Sequence, residues 1–335
     1  MPCSRLLLVV GLLCSFAVAC TAESPRHDDH DRSASLVAST GTFEFYSDFW
    51  MNLHDYLYWR AQDDGPSDLP TTCLDEHSET QRAAWQAAEA FYQTDMGQRH
   101  HRRDSIMVGL RYHFSDLPND VALPETLRPI VARLEAAAPV YETCWWPEHD
   151  ARNRDWIAWL APRLEEHQDT MTARISRYYQ SDWRGTMPID VVSYASWAGA
   201  NTLGTPDHIM MSSIDEGYTE WLGFEMVIHE ASHTMMGSGY GKTDTYLAEF
   251  SQAYGKNPPN SLWHAILFYT SGRVAQQVLA DQGIDHTMYM YRWGVFERFF
   301  PYLEAHWEPY IEHEVDLRTA ASTIIDGIYG TAAAR

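Results

Sequence analysis

One change of rhythm constrains this chain more than any other feature. From residue 47 to 183 apolar side chains recur at helical spacing, and at Met187 they give way to MPIDVVSYASW, rich in β-branched and aromatic residues. ANTLGTP then reads as a turn and DHIMMSS as a second short strand, after which the helical period returns at Asp215 and dominates to the end. The expected class is therefore α+β and mostly helical, with one small sheet inside the chain. At 335 residues there is length enough for a large hydrophobic core.

Ser47 is placed to cap a helix in which Trp50, Leu53, His54, Leu57, Tyr58 and Ala61 form one stripe. Further helices are expected over 79–96, stopped by Gly97; over 104–114, begun by Asp104; over 126–138, ended at Pro139; and over 148–182, kinked at Pro162. Beyond the sheet the pattern gives 217–236, 243–254, 261–281 and pieces within 287–328.

The first residues, MPCSRLLLVVGLLCSFAVAC, join Arg5 to an apolar run and to the small residues Ala17 and Ala19, the pattern of a signal peptide over 1–19. Cys20 stands where a bacterial lipoprotein carries its lipid, which leaves two alternatives, a tethered periplasmic or outer-membrane protein and a released one. Residues 20–42 read as a flexible tether in which His27 and His30 are solvated. Cys73 and Cys144 remain as the pair of the folded part, either a disulfide of an oxidising compartment or two separate thiols. A formal charge of −22 excludes nucleic acid and an anionic membrane surface as partners, because both demand clustered Lys and Arg. Contact with a membrane is expected through a lipid on Cys20 alone.

The residues that carry chemistry stand in MVIHEASHTMMGSG. On a helix His229 and His233, four apart, present imidazole nitrogens to one ion, and Glu230 projects beside them without being a ligand. Zinc brings the pKa of a bound water toward neutrality, and a neighbouring carboxylate takes its proton. Tyr218, Leu222, Met226 and Val227 give the motif a helical approach, and Gly237 and Gly239 end it.

In DHIMMSSIDEGYTEWLGFEMVIHEASH a strand precedes a helix bearing HExxH, and over about 187–282 the chain resembles the zincin superfamily of metallopeptidases. FWMNLHDYLYW together with HEASH and LWHAILFYTSG is also similar to a group of bacterial exported proteins, a likeness that brings no substrate. The zincin resemblance implies His229 and His233 as zinc ligands and Glu230 as general base. It divides the chain into a helical region over 43–185, a zincin-like core over 186–282 and a C-terminal helical region over 283–335.

A catalytic zinc takes three protein ligands and keeps one position open. The metzincin continuation fails, since Met236 holds its glycine position and Gly239-Tyr240 leads to no histidine. His264, in the first turn of a helix that Ser261 is placed to cap, is the leading third ligand; Glu249 is second, and Asp244 and His208 stay open. Tyr240, Tyr269 and Arg273 are candidates to stabilise an oxyanion, and His54 and His167 are either cleft residues or hydrogen-bonded core. The expected function is an exported zinc metallopeptidase acting on a peptide or protein. The alternatives are a catalytically inactive, zincin-like metal-binding lipoprotein that holds a partner, and metal-assisted hydrolysis of a non-peptide amide or ester.

Overall fold

The computed structural model describes residues 31–63, 65–66, 71–116, 125–204 and 207–333. The expected signal peptide, Cys20, His27 and His30 lie outside them. The protein is α+β, with a small mixed five-stranded sheet between helical layers. The strands β1 (Leu36–Ser39), β2 (Phe43–Tyr46), β3 (Met187–Val192), β4 (Ala200–Gly204) and β5 (Asp207–Ser212) run in the order β1-β2-β3-β5-β4. β2, β3 and β5 are mutually parallel, whereas β1 and β4 close the two edges antiparallel to their neighbours.

Three of these strands differ from the sequence reading, and one of them, β2, opens the region expected to be helical over 43–185. ANTLG, expected as a turn, is β4, which pairs with β5 from Ala200–Met211 to Gly204–Asp207. A segment so short, with Asn at its second place and Gly at its end, has weak strand propensity, and pairing with β5 decides it. The stretch expected as tether is drawn into the sheet from Leu36, where β1 pairs with β2.

Because successive side chains alternate across a sheet, the central strands feed two cores. Ile189, Val191, Ile209 and Met211 face one cluster, and Val192 and Met210 face the other. The second cluster is roofed by α1 (Phe49–Arg60), α3 (Glu79–Thr94), α4 (Ser105–Phe114) and α5 (Arg128–Cys144), with the short α2 (Thr71–Asp75) leading into α3. Asp48 caps α1 in place of Ser47, its carboxylate accepting from Met51 N at 2.9 Å. The stripe expected on α1 widens into burial of Trp50 through Tyr58, since the helix is packed on the sheet as well as on α3 and α5. Asn52 ties it to β3, donating to Val191 O and accepting from Ser193 N.

Ser78 and Gln81 form a capping box at α3, and Asp104 caps α4 as its position implies. α5 does not stop at Pro139: it continues to Cys144, with Ala137, Ala138, Val140 and Tyr141 all buried, and packing outweighs the lost hydrogen bond. Cys144 thereby meets Cys73 of α2 in a disulfide, Cα atoms 5.7 Å apart.

The first cluster contains α6 (Trp146–Tyr179), which runs on through Pro162, then α7 (Glu220–Ser232), α8 (Lys242–Gln252) and α9 (Leu262–Ala280). The chain closes with α10 (Tyr289–Trp293), with α11 (Phe300–Tyr302) and α12 (Glu308–Ile311) on either side of a π turn, and with α13 (Leu317–Ala333) packed on α8 and that turn. No helix among the described residues is long and apolar enough to cross a membrane.

Candidate metal centre

α7 is buried from Leu222 through Ser232, wedged between β4, α6 and α9. Gly223 permits that fit, for a Cβ there would lie 2.5 Å from Tyr218 O. His229 lies in the last turn and His233 is the C-cap, so the helix ends sooner than Gly237 and Gly239 suggested. Gly237 serves a close approach instead, because a Cβ on it would fall 2.3 Å from the ring of Tyr240. That ring folds back so that its hydroxyl donates to His233 O.

α9 crosses α7 and delivers His264. Ser261 does not cap it: it adopts left-handed backbone (φ 66°) and its hydroxyl makes no bond to the helix, after the turn in which the Leu262 amide donates to Pro259 O. Ring nitrogens of His229, His233 and His264 lie within 4.8 Å of one another. The Nε2 atoms of His229 and His264 are 3.3 Å apart, the edge length of about 3.3 Å that two ligands make on a tetrahedral zinc at ~2.05 Å each. The donor set, three imidazoles, also suits zinc. Burial, then the neighbouring imidazoles, hold His229 well below its ordinary range, and burial lowers His264 to about 4, so both rings are neutral near pH 7. One departure from a usual ligand shell is that His229 Nδ1 is buried without a hydrogen-bond partner.

Glu230 is 5% exposed. Burial raises its carboxyl to about 7 against the opposing pull of Thr202, Arg102 and Arg111. Thr202 Oγ1 on β4 lies 2.6 Å from Glu230 Oε2 and donates to it, and it is also 2.9 Å from the Glu230 carbonyl. Glu225, one turn earlier on α7 and fully buried, receives His286 Nε2 at 2.7 Å and the Tyr289 amide at 2.9 and 3.0 Å. It fastens the segment leading into α10 against the site helix.

Two cavities meet at the cluster. One, of about 380 Å³, is lined by His229, Glu230 and His264 with Tyr218, Phe268 and Phe296. The other, of about 350 Å³, is lined by His233 and His264, by Tyr240 and Trp263, and by Thr202 to Gly204 of β4. Arg102 and His264 belong to both. Phe268 lies 3.8 Å from His229 between ring centroids, and Trp263 stacks on His264, so aromatic surface walls the imidazoles.

Of the other sequence candidates, only Tyr240 stands at the site. Glu249 is exposed and paired with Arg318, facing α13. Asp244 accepts the Gly239 amide, and His208 is buried between Asp190 and Arg111. Tyr269 donates to Glu308, to which Arg273 is also paired. His54 is core, bonded to Tyr92 at 2.6 Å, and His167 meets Gln282 at the surface. The sequence reading passed over Thr202, Arg102 and Glu225. Thr202 sits in the stretch taken for a turn, and the other two carry no spacing signal. No family model, curated protein or solved structure matches the chain, and the site's chemistry is carried by its own residues.

Proposed function

We propose that this chain is a zinc-dependent metallopeptidase of zincin type, with His229, His233 and His264 holding the ion and Glu230 as general base. The observation that carries the reading is the convergence of three imidazoles from α7 and α9 beside a buried carboxylate, where two cavities meet. Zinc bound there would supply Lewis acidity toward a carbonyl and a water of lowered pKa. Glu230 takes the proton of the attacking water and passes it to the leaving amine, and Thr202 fixes the carboxylate in place for both transfers. Phe268 and Phe296 keep bulk water from the reacting atoms. β4 is an edge strand whose Ala200 lines the first cavity and whose Thr202 lines the second, so a peptide laid along it spans the cleft. The Cys73–Cys144 disulfide supports an exported protein.

Purified protein should contain one zinc per chain by elemental analysis. Glu230→Gln should keep that zinc and slow peptide hydrolysis by about 10²–10⁴-fold, the usual contribution of a general base. Protein without zinc, or a Glu230→Gln variant as fast as the parent, would sink the reading. Full zinc with no cleavage across broad peptide libraries would favour the inactive, partner-holding alternative.

A further inference from the structure

Arg102 and Arg103 sit in the turn between α3 and α4, and both line the second cavity; Arg102 reaches the first as well. The turn is held firmly. Arg99 binds Asp95 at 2.6 Å and Asp104 at 3.0 Å, the Tyr58 hydroxyl donates to Arg99 O, and the Arg103 and Asp104 amides both donate to His100 O. Arg99 thus occupies the two carboxylates nearest in sequence. Among the described residues neither Arg102 nor Arg103 has an ion-pair partner.

These two cations stand in a chain with 46 acidic and 24 basic residues, where Arg152, Arg154 and Arg318, exposed like them, are each paired with a carboxylate. Among the described residues no carboxylate lines the second cavity, whereas Glu230 and Asp215 line the first. The second cavity is therefore the more cationic part of the cleft, with both guanidiniums on its wall, whereas the first sets Arg102 beside Glu230 and Asp215. The molecule's net negative charge repels an anionic ligand at long range, but that field is screened beyond about 8 Å at physiological salt, and contact with two guanidiniums then dominates. A planar guanidinium fork fits a carboxylate with two parallel hydrogen bonds.

We propose that the cleft selects an anionic peptide, holding a carboxylate in the second cavity between Arg102, Arg103 and the edge of β4. This rests on the cleft being the substrate site of the proposed peptidase. The carboxylate has two sources, an Asp or Glu side chain and a free C-terminus.

The test uses the full chain as its zinc-loaded Glu230→Gln variant, immobilised and exposed to randomised synthetic peptides made once as free acids and once as C-terminal amides. Retained peptides are identified by mass spectrometry. Peptides with Asp or Glu, or with a free C-terminus, should be enriched about tenfold or more over neutral amides. Persistence of the enrichment among amides assigns the side chain, and its confinement to free acids assigns the terminus. Arg102→Glu/Arg103→Glu should abolish or invert the preference, and Arg102→Gln/Arg103→Gln should abolish it, with circular dichroism confirming that both fold. The preference should also survive removal of zinc. No anionic enrichment, no retention at all, enrichment unchanged by either double variant, or enrichment that vanishes with the metal would each overturn the proposal. Zinc content of the same Glu230→Gln protein is a separate readout: its absence would remove the peptidase reading and leave the arginine result standing.

Discussion

His264 shows how much one side chain can decide. An imidazole in the first turn of α9 reads equally as a core residue, yet here its Nε2 lies 3.3 Å from that of His229, while Glu249 is turned toward Arg318. His264→Ala should therefore lose stoichiometric zinc, and Glu249→Ala should keep it, as measured by elemental analysis of the purified variants. The reverse result would move the third ligand to α8. Thr202 makes a finer claim. Its hydroxyl is the hydrogen-bond donor on the Glu230 carboxylate, so Thr202→Val, which keeps the shape and removes the donor, should lower kcat about tenfold at unchanged zinc content. An undiminished kcat would mean that Glu230 is held by packing alone.

At the scale of elements, the site depends on a strand that the N-terminal helices hold in place. Arg111 of α4 is fully enclosed, and burial lowers its guanidinium to about 10. It donates from Nε to His208 Nδ1 at 2.6 Å, from Nη2 to His208 O at 2.7 Å and to Asn201 O at 3.2 Å, and from Nη1 to Asn201 Oδ1. One residue fastens α4 to both β4 and β5, next to Thr202. Arg111→Met should cost about 3 kcal/mol or more in urea unfolding, because it strands buried acceptors instead of removing them. A loss below about 1 kcal/mol would show that the strands hold their places without it. None of this was legible in the chain, where Arg111, Asn201 and His208 are separated by up to 97 residues and carry no period. β4 itself was hidden for a related reason, since a five-residue edge strand is made by its neighbour more than by its own propensities.

The whole molecule carries several buried neutral histidines away from the His229, His233 and His264 cluster. Burial lowers His54, His149 and His208 from 6.5 to about 4. Each such drop carries about 3 kcal/mol of stability, fully present above pH 6.5 and lost as pH falls from there toward 4, because the unfolded chain binds the protons first. Asp190 extends the trend: burial would raise its carboxyl, but Arg32 and the His208 hydrogen bond outweigh this and hold it below the usual range, so its contribution is lost below about pH 4. Carboxyls that burial raises, among them Asp55, Glu225 and Glu230, work in the opposite direction, against His101, His229, His233 and His264, which burial lowers as it does the three histidines above. The melting temperature of the protein should fall steadily between pH 6.5 and 4, followed by circular dichroism. A flat profile across that window would mean that these rings are not neutral in the folded state.

What the sequence determined by itself was whatever depends on neighbours in the chain. Helical period over 47–183, capping at Asp104, the β-rich break at Met187 and the pair of histidines four apart on α7 are all local, set by backbone geometry and the hydrophobic pattern. The tertiary structure decided what depends on distance in space: continuation of α5 past Pro139 to the disulfide, recruitment of residues from Leu36 into the sheet, Thr202 against Glu230, and two arginines over a cleft whose other walls come from between Thr202 and His264. The physical reason is the same in each case. A proline, a short strand or a charged turn has only a weak local preference, and burial against a distant partner outweighs it.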